Sequence, residues 1–180
     1  MPRKPRDAAA GLFHITCHSV WTSELFRDDV DRIEYLRGLA VAVADFSWTC
    51  ISYCLLGTHL HLILEVGDDT LPLGMQQLNT GFACQFNSRH RLRGHVFAGR
   101  YDARRLESDA HLVAAFKYDA WNPVGAGLCG SPEEWHASTY AATIGLTEMP
   151  SFVDPSRILR YFGGSREVAI ARLRAYVEDR

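Results

Sequence analysis

Two histidines separated by one leucine, His59-Leu60-His61, are the residues of this sequence that first suggest metal chemistry. Side chains alternate across a strand, so on a strand both imidazoles leave one face while Leu60 enters the core. Their backbones lie about 6.6 Å apart at that spacing, and both rings can reach one divalent ion. The same pattern also describes an exposed or packed pair at a sheet edge. Further along, Tyr118 and Asn122 stand four residues apart, on one face of a helix. With Ala114 they form a stripe offset from the apolar stripe Leu112, Phe116 and Ala120. Tyr118 can then face a cleft while the apolar stripe holds the helix to a sheet, although a helical tyrosine is also a common core or boundary residue. Tyrosine serves as a covalent nucleophile when it is activated or the charge developing around it is stabilised. A divalent ion on a phosphate oxygen does this as a Lewis acid, and Asn122 offers an oxygen ligand beside the two imidazoles.

The second chemical feature is a basic belt. Arg89, Arg91, Arg93, Arg100, Arg104 and Arg105 fall within seventeen residues, opposed only by Asp102. Phe97 and Tyr101 are interleaved, and aromatic rings stack on unpaired bases. Arginine suits bidentate contacts to phosphates and guanine edges. A solvated charged loop has the same composition. Arg3, Lys4 and Arg6 could add phosphate contacts from a basic N-terminal arm over residues 1–10.

The elements that must position these residues follow from apolar periodicity. Residues 12–20, 49–56 and 59–66 have strand composition, and Gly57-Thr58 makes the last two a hairpin. A strand is also expected within 96–106. Helices are expected over 28–44, from Val30, Ile33, Leu36, Leu39, Ala40 and Val43, and over 71–89, from Leu73, Met75, Leu78, Phe82 and Phe86. A third runs from about Asp109 to Trp121, with Pro123 ending it near Asn122. The resulting β-α-β-β-α-β-α order is that of a ferredoxin-like split βαβ sandwich, an α+β fold with helices packed on an antiparallel sheet. Beyond residue 145, Asp154-Pro155 resembles a helix start. The last helix is expected over 167–178, with Val168, Ala171, Leu173, Ala175 and Val177 as a loose stripe.

Taken in order, seven short segments resemble the REP-associated tyrosine transposases and the wider single-tyrosine HUH transposases. They are Phe13-His-Ile-Thr, Leu25-Phe-Arg-Asp-Asp-Val-Asp-Arg32, Tyr53-Cys-Leu-Leu-Gly-Thr-His-Leu-His-Leu62, Phe86-Asn87, Gly94-His-Val-Phe-Ala-Gly-Arg-Tyr101, Tyr118-x-x-x-Asn-Pro-Val-x-Ala-Gly127 and Ser138-Thr-Tyr140. The resemblance implies an HUH-type nuclease domain over 11–145 with a C-terminal helical extension over 146–180. It implies Mg²⁺ or Mn²⁺ held by His59 and His61 with Asn122 as partner, and Tyr118 as nucleophile. It also implies single-stranded or hairpin DNA as substrate, cleaved through a 5′-phosphotyrosine, by a monomer or a homodimer. The DNA path falls to Arg89, Arg91, Arg93, Arg100, Tyr101, Arg104 and Arg105. Four positions depart from the family pattern: Thr58 replaces an asparagine, Asp119 an apolar residue, Gly125 an arginine, and His18 another arginine. The changes at 119 and 125 are expected to weaken or shift DNA contacts. They leave a non-cleaving, domesticated DNA-binding protein of the same fold as the alternative.

Whole-chain numbers bound these readings. With 180 residues and 47% apolar content, one well-buried domain is expected. The formal charge of −2 describes the overall field and masks the local belt. Five cysteines without a CxxC pair argue against a disulfide framework or a four-cysteine zinc site, and buried reduced thiols are expected. No apolar run approaches the roughly 20 residues of a membrane span, and the basic N-terminus lacks the apolar stretch of a signal peptide. A cytoplasmic, nucleoid-associated location is expected.

Overall fold

The computed structural model of the chain describes residues 9–20 and 24–179. The basic arm with Arg3, Lys4 and Arg6 lies outside them. The element order is β1 (Gly11–His18), α1 (Asp29–Asp45), β2 (Thr49–Leu55), β3 (His59–Val66), α2 (Thr70–His90), β4 (Asp102–Arg105) and α3 (Asp109–Gly125). Then come α4 (Tyr140–Thr143), α5 (Ser156–Phe162) and α6 (Arg166–Glu178). The strands form one antiparallel sheet in the order β2-β3-β1-β4. This is the α+β arrangement expected from the β-α-β-β-α-β-α succession.

Strand alternation divides the sheet into two faces. Phe13, Ile15, Cys17, Leu60, Leu62 and Leu64 pack against Tyr35 and Leu39 of α1 and Met75 and Phe82 of α2. Leu12, Ile51 and Ile63 turn the other way, onto Leu112, Phe116 and Ala120 of α3. Ile158 of α5 and Leu173 and Val177 of α6 join that second cluster. At the other end of β1 and β3 the same face carries His14, Thr16, His18, His59 and His61, which line a cavity under α3. The apolar end anchors the helix, and the polar end is left for chemistry.

Local signals explain the helix ends. Asp28 caps α1 by accepting from the Asp31 amide at 3.2 Å, and Ser108 caps α3 by accepting from the His111 amide at 3.2 Å. Asp154 accepts from the Ser156 amide at 2.8 Å at the start of α5. One boundary departs from expectation: α3 passes through Pro123 to Gly125. Proline removes its own N–H and crowds the carbonyl four residues earlier, yet the turn beyond it closes through Ala126 N donating to Asn122 O at 2.9 Å. The apolar faces also shift. Val30, Ile33, Leu73 and Val168 are exposed, while Tyr35, Leu39 and Ala42 hold α1, Leu71 joins the buried face of α2, and Ala169, Leu173 and Val177 hold α6. The expected strand within 96–106 narrows to β4, with Phe97 bridged separately to Ser19. Cys17, Cys50 and Cys54 are buried thiols as expected, whereas Cys84 is exposed and Cys129 only part-buried.

Candidate active site

The β1–β3 register builds the site. His18 pairs with His59 and Thr16 with His61, so polar side chains of both strands meet on one face. The His18 and His59 rings stack at 5.4 Å, and those of His14 and His61 at 5.2 Å with planes 12° apart. Above them α3 brings Asn122 between the paired histidines. His59 Nε2 donates to Asn122 Oδ1 at 3.3 Å, and Asn122 Nδ2 donates to His61 Nε2 at 3.1 Å. The Thr58 hydroxyl lies 3.2 Å from His59 Nδ1, so the residue that departs from the family pattern still partners that ring.

Tyr118 lies one helical turn before Asn122. Its ring meets His61 edge-on at 5.6 Å and His14 at 6.2 Å, yet it is 58% exposed. It faces the cavity of about 550 Å³ that His14, His18, His59, His61 and Arg104 also line. The core reading of this tyrosine is thereby set aside: Leu112, Phe116 and Ala120 hold the helix, and Tyr118 is free of that duty.

Burial sets the charge state of the imidazoles. Removal from water pushes His61 down to about 3, with His14, His59 and His18 adding to the effect. His59 is lowered for the same reason, partly offset by its hydrogen bond to Asn122. Both rings are neutral near pH 7 and keep a lone pair for a metal. The donor set fits a divalent ion. Asn122 Oδ1 lies 3.3 Å from His59 Nε2 and Asn122 Nδ2 lies 3.1 Å from His61 Nε2, so the two imidazoles and the amide meet at one point, where an ion would take the place of the His59 Nε2 proton. Two imidazoles and an amide oxygen are nitrogen and oxygen ligands of the kind that hold a divalent ion.

Behind these groups lies Asp119, which is 3% exposed. His14 Nε2 donates to Asp119 Oδ1 at 2.9 Å, and His61 Nδ1 is 3.5 Å from the same oxygen. Burial raises the Asp119 carboxyl, and the His14 hydrogen bond opposes this. Asp119, expected to weaken or shift DNA contacts, is instead buried with its side chain beneath the histidines. Sequence reading assigned no role to His14, and it treated His18 only as a missing arginine. The signal was present, since His14, Thr16 and His18 repeat every second residue on β1.

The basic belt divides. Arg104 lines the histidine cavity, and Arg100 lines a separate cavity together with Tyr101, beside α2. Arg91 and Arg93 are exposed at the end of α2, and Tyr101 is 7% exposed. Arg105 donates to the backbone oxygens of Ala10 and Ala9 at 2.9 and 3.1 Å and lies over the Phe13 ring. Arg89 is held by Asp28 and Asp31 at 2.6 and 2.5 Å, tying the end of α2 to the start of α1.

No family model matches the chain, and no curated protein matches it at a significant level. Among solved structures, the chain is similar to a REP-associated tyrosine transposase bound to a REP hairpin. That likeness has a TM-score of 0.69 at 17% identity, and it covers 87% of this chain and 96% of the other. The chain therefore has the fold of that transposase, the same family that its sequence segments resemble. No helix among the described residues is long and apolar enough to cross a membrane.

Proposed function

We propose that the chain is a single-tyrosine HUH transposase of the REP-associated kind, a metal-dependent endonuclease and strand transferase acting on single-stranded or hairpin DNA. The observation that carries this reading is the convergence of Tyr118, His59 and His61 on one cavity open to solvent, with Asn122 hydrogen-bonded to both histidines. The similar solved structure is a REP-associated transposase on a REP hairpin, which supports the same substrate here.

His59, His61 and Asn122 would hold the divalent ion, which when bound supplies Lewis-acid stabilisation of the scissile phosphate. Arg104, lining the cavity, adds positive charge where a phosphate would lie. Tyr118 Oη attacks phosphorus in line and its hydroxyl proton passes to water. The bond from phosphorus to the 3′-oxygen breaks, and that oxygen takes up a proton to leave a free 3′-OH. The product is a 5′-phosphotyrosine on Tyr118, and a later 3′-OH attack on it rejoins DNA without a nucleotide cofactor. Exposure of Tyr118 and the intact four-residue set favour this over a non-cleaving DNA-binding descendant. Incubation of the protein with a labelled REP-type hairpin and Mn²⁺, followed by a denaturing gel, is expected to show a covalent adduct. Tyr118→Phe should abolish the adduct and retain hairpin binding. An adduct that persists in Tyr118→Phe excludes Tyr118 as the nucleophile, and binding with no adduct in the wild type selects the non-cleaving alternative.

A further inference from the structure

We propose that Asp119 is a positioning residue whose carboxylate, shared with His14, fixes the tautomer and ring orientation of His61. The proposal rests on the reading of His61 as a metal ligand. A neutral imidazole carries one proton, so its two nitrogens have opposite roles. The Asn122 amide donates to His61 Nε2 at 3.1 Å, which places the lone pair on Nε2 and the proton on Nδ1. Nδ1 lies 3.5 Å from Asp119 Oδ1 and 3.4 Å from the Thr16 hydroxyl. His14 Nε2 approaches the same carboxylate oxygen at 2.9 Å and lies 3.2 Å from His61 Nδ1. Asp119 Oδ1 thus accepts from His14 and stands at ion-pair distance from His61 Nδ1, while the His14 and His61 rings stack on each other. Partners of this kind, behind a ligating histidine, fix its orientation and raise its basicity.

The helix register explains why one element can do this. Tyr118 and Asn122 share the cleft face of α3, while Asp119 is turned a further 100° inward, beneath the rings. The seating of α3 therefore sets the nucleophile, the amide ligand and the carboxylate together. The carboxylate is expensive where it sits: Asp119 Oδ2 is buried with no hydrogen-bond partner. An apolar side chain would avoid that cost, so a carboxylate at this position serves the imidazoles. His14, His61 and Asp119 also have donor atoms within 4.8 Å of one another, so the metal stoichiometry must be measured as well.

The test uses the full chain and its Asp119→Asn variant, which keeps the shape and removes the charge. Nitrogen-15 NMR of the metal-free proteins reports the His61 tautomer, and calorimetric titration with Mn²⁺ alone reports affinity and stoichiometry. Expected are a single Nδ1–H tautomer in the wild type, mixed tautomers in the variant, and Mn²⁺ affinity reduced about 10- to 100-fold with a preserved thermal melt. If Asp119→Asn does not fold, Asp119→Ala takes its place under the same readouts. An unchanged tautomer with unchanged affinity overturns the proposal while leaving the metal reading intact. If the wild type binds no Mn²⁺ yet the tautomer still shifts, the metal reading fails and the positioning of His61 stands. Two ions per wild-type chain, one of them lost in Asp119→Asn, would make Asp119 itself a ligand and overturn the positioning role.

Discussion

At the scale of single residues, the site depends on uncharged imidazoles held in a fixed arrangement. His61 is 3% exposed and depressed to about 3, whereas an imidazole in the unfolded chain titrates near 6.5. Between those values the unfolded chain binds more protons than the folded one, so stability rises with pH. It is therefore lost as pH falls from about 6.5 towards 3, with a slope of up to ~1.4 kcal/mol per pH unit from this group. Urea melts of the metal-free protein across this window should show the loss, and His61→Gln should flatten it. An identical slope in that variant would assign the acid sensitivity to other groups. Replacing His59 and His61 together by alanine should also remove Mn²⁺-dependent cleavage of the hairpin, read on the same denaturing gel. Unchanged cleavage in the double variant would exclude both as ligands.

At the scale of elements, α3 is the part whose placement matters most, and it is gripped from behind. Trp121 Nε1 donates to the Val177 carbonyl of α6 at 2.7 Å, and Lys117 Nζ donates to the Tyr176 carbonyl at 2.8 Å and to that of Asp179. Leu173 of α6, fully buried, packs in the same cluster as Phe116 and Ala120. Residues beyond 145 thus brace the helix that carries Tyr118. Leu173→Ala should destabilise the protein by about 2–5 kcal/mol, through lost burial and the cavity left behind. Urea denaturation measures this, and a cost below about 1 kcal/mol would mean that the site collapses around the smaller side chain.

At the scale of the whole molecule, the arginines separate into two kinds. Arg104 faces the histidine cavity, while Arg89 is committed to Asp28 and to the buried Asp31. Arg89 holds the Asp28 carboxyl down at about 2. Arg104→Ala is expected to weaken hairpin binding and to lower the slope of log K against log salt by about 1. Arg89→Ala should leave that slope unchanged and lower stability, because Asp28 and the buried Asp31 both lose a charged partner. Hairpin titrations over a salt series, paired with urea melts, distinguish the two. A reversal of these effects would relocate the DNA path to the end of α2.

The sequence alone determined the element order, the α+β class and the identity of the four residues that converge. Periods of 2 and 3.6 fix which side chains share a face, and His59 with His61, or Tyr118 with Asn122, needed nothing more. Local pattern could not decide what lies across from a face. His14 and Asp119 are 105 residues apart, and only the β1–β3 register and the seating of α3 bring them together. The same limit applies to the arginines. Composition makes one belt of residues 89–105, but a guanidinium is free or committed according to which carboxylate the fold brings to it. Arg89 meets Asp28 and Asp31 through the packing of α2 on α1, a contact that no spacing within the belt encodes. Side-chain direction is local physics and was legible; partnership across the core is set by tertiary packing and was not.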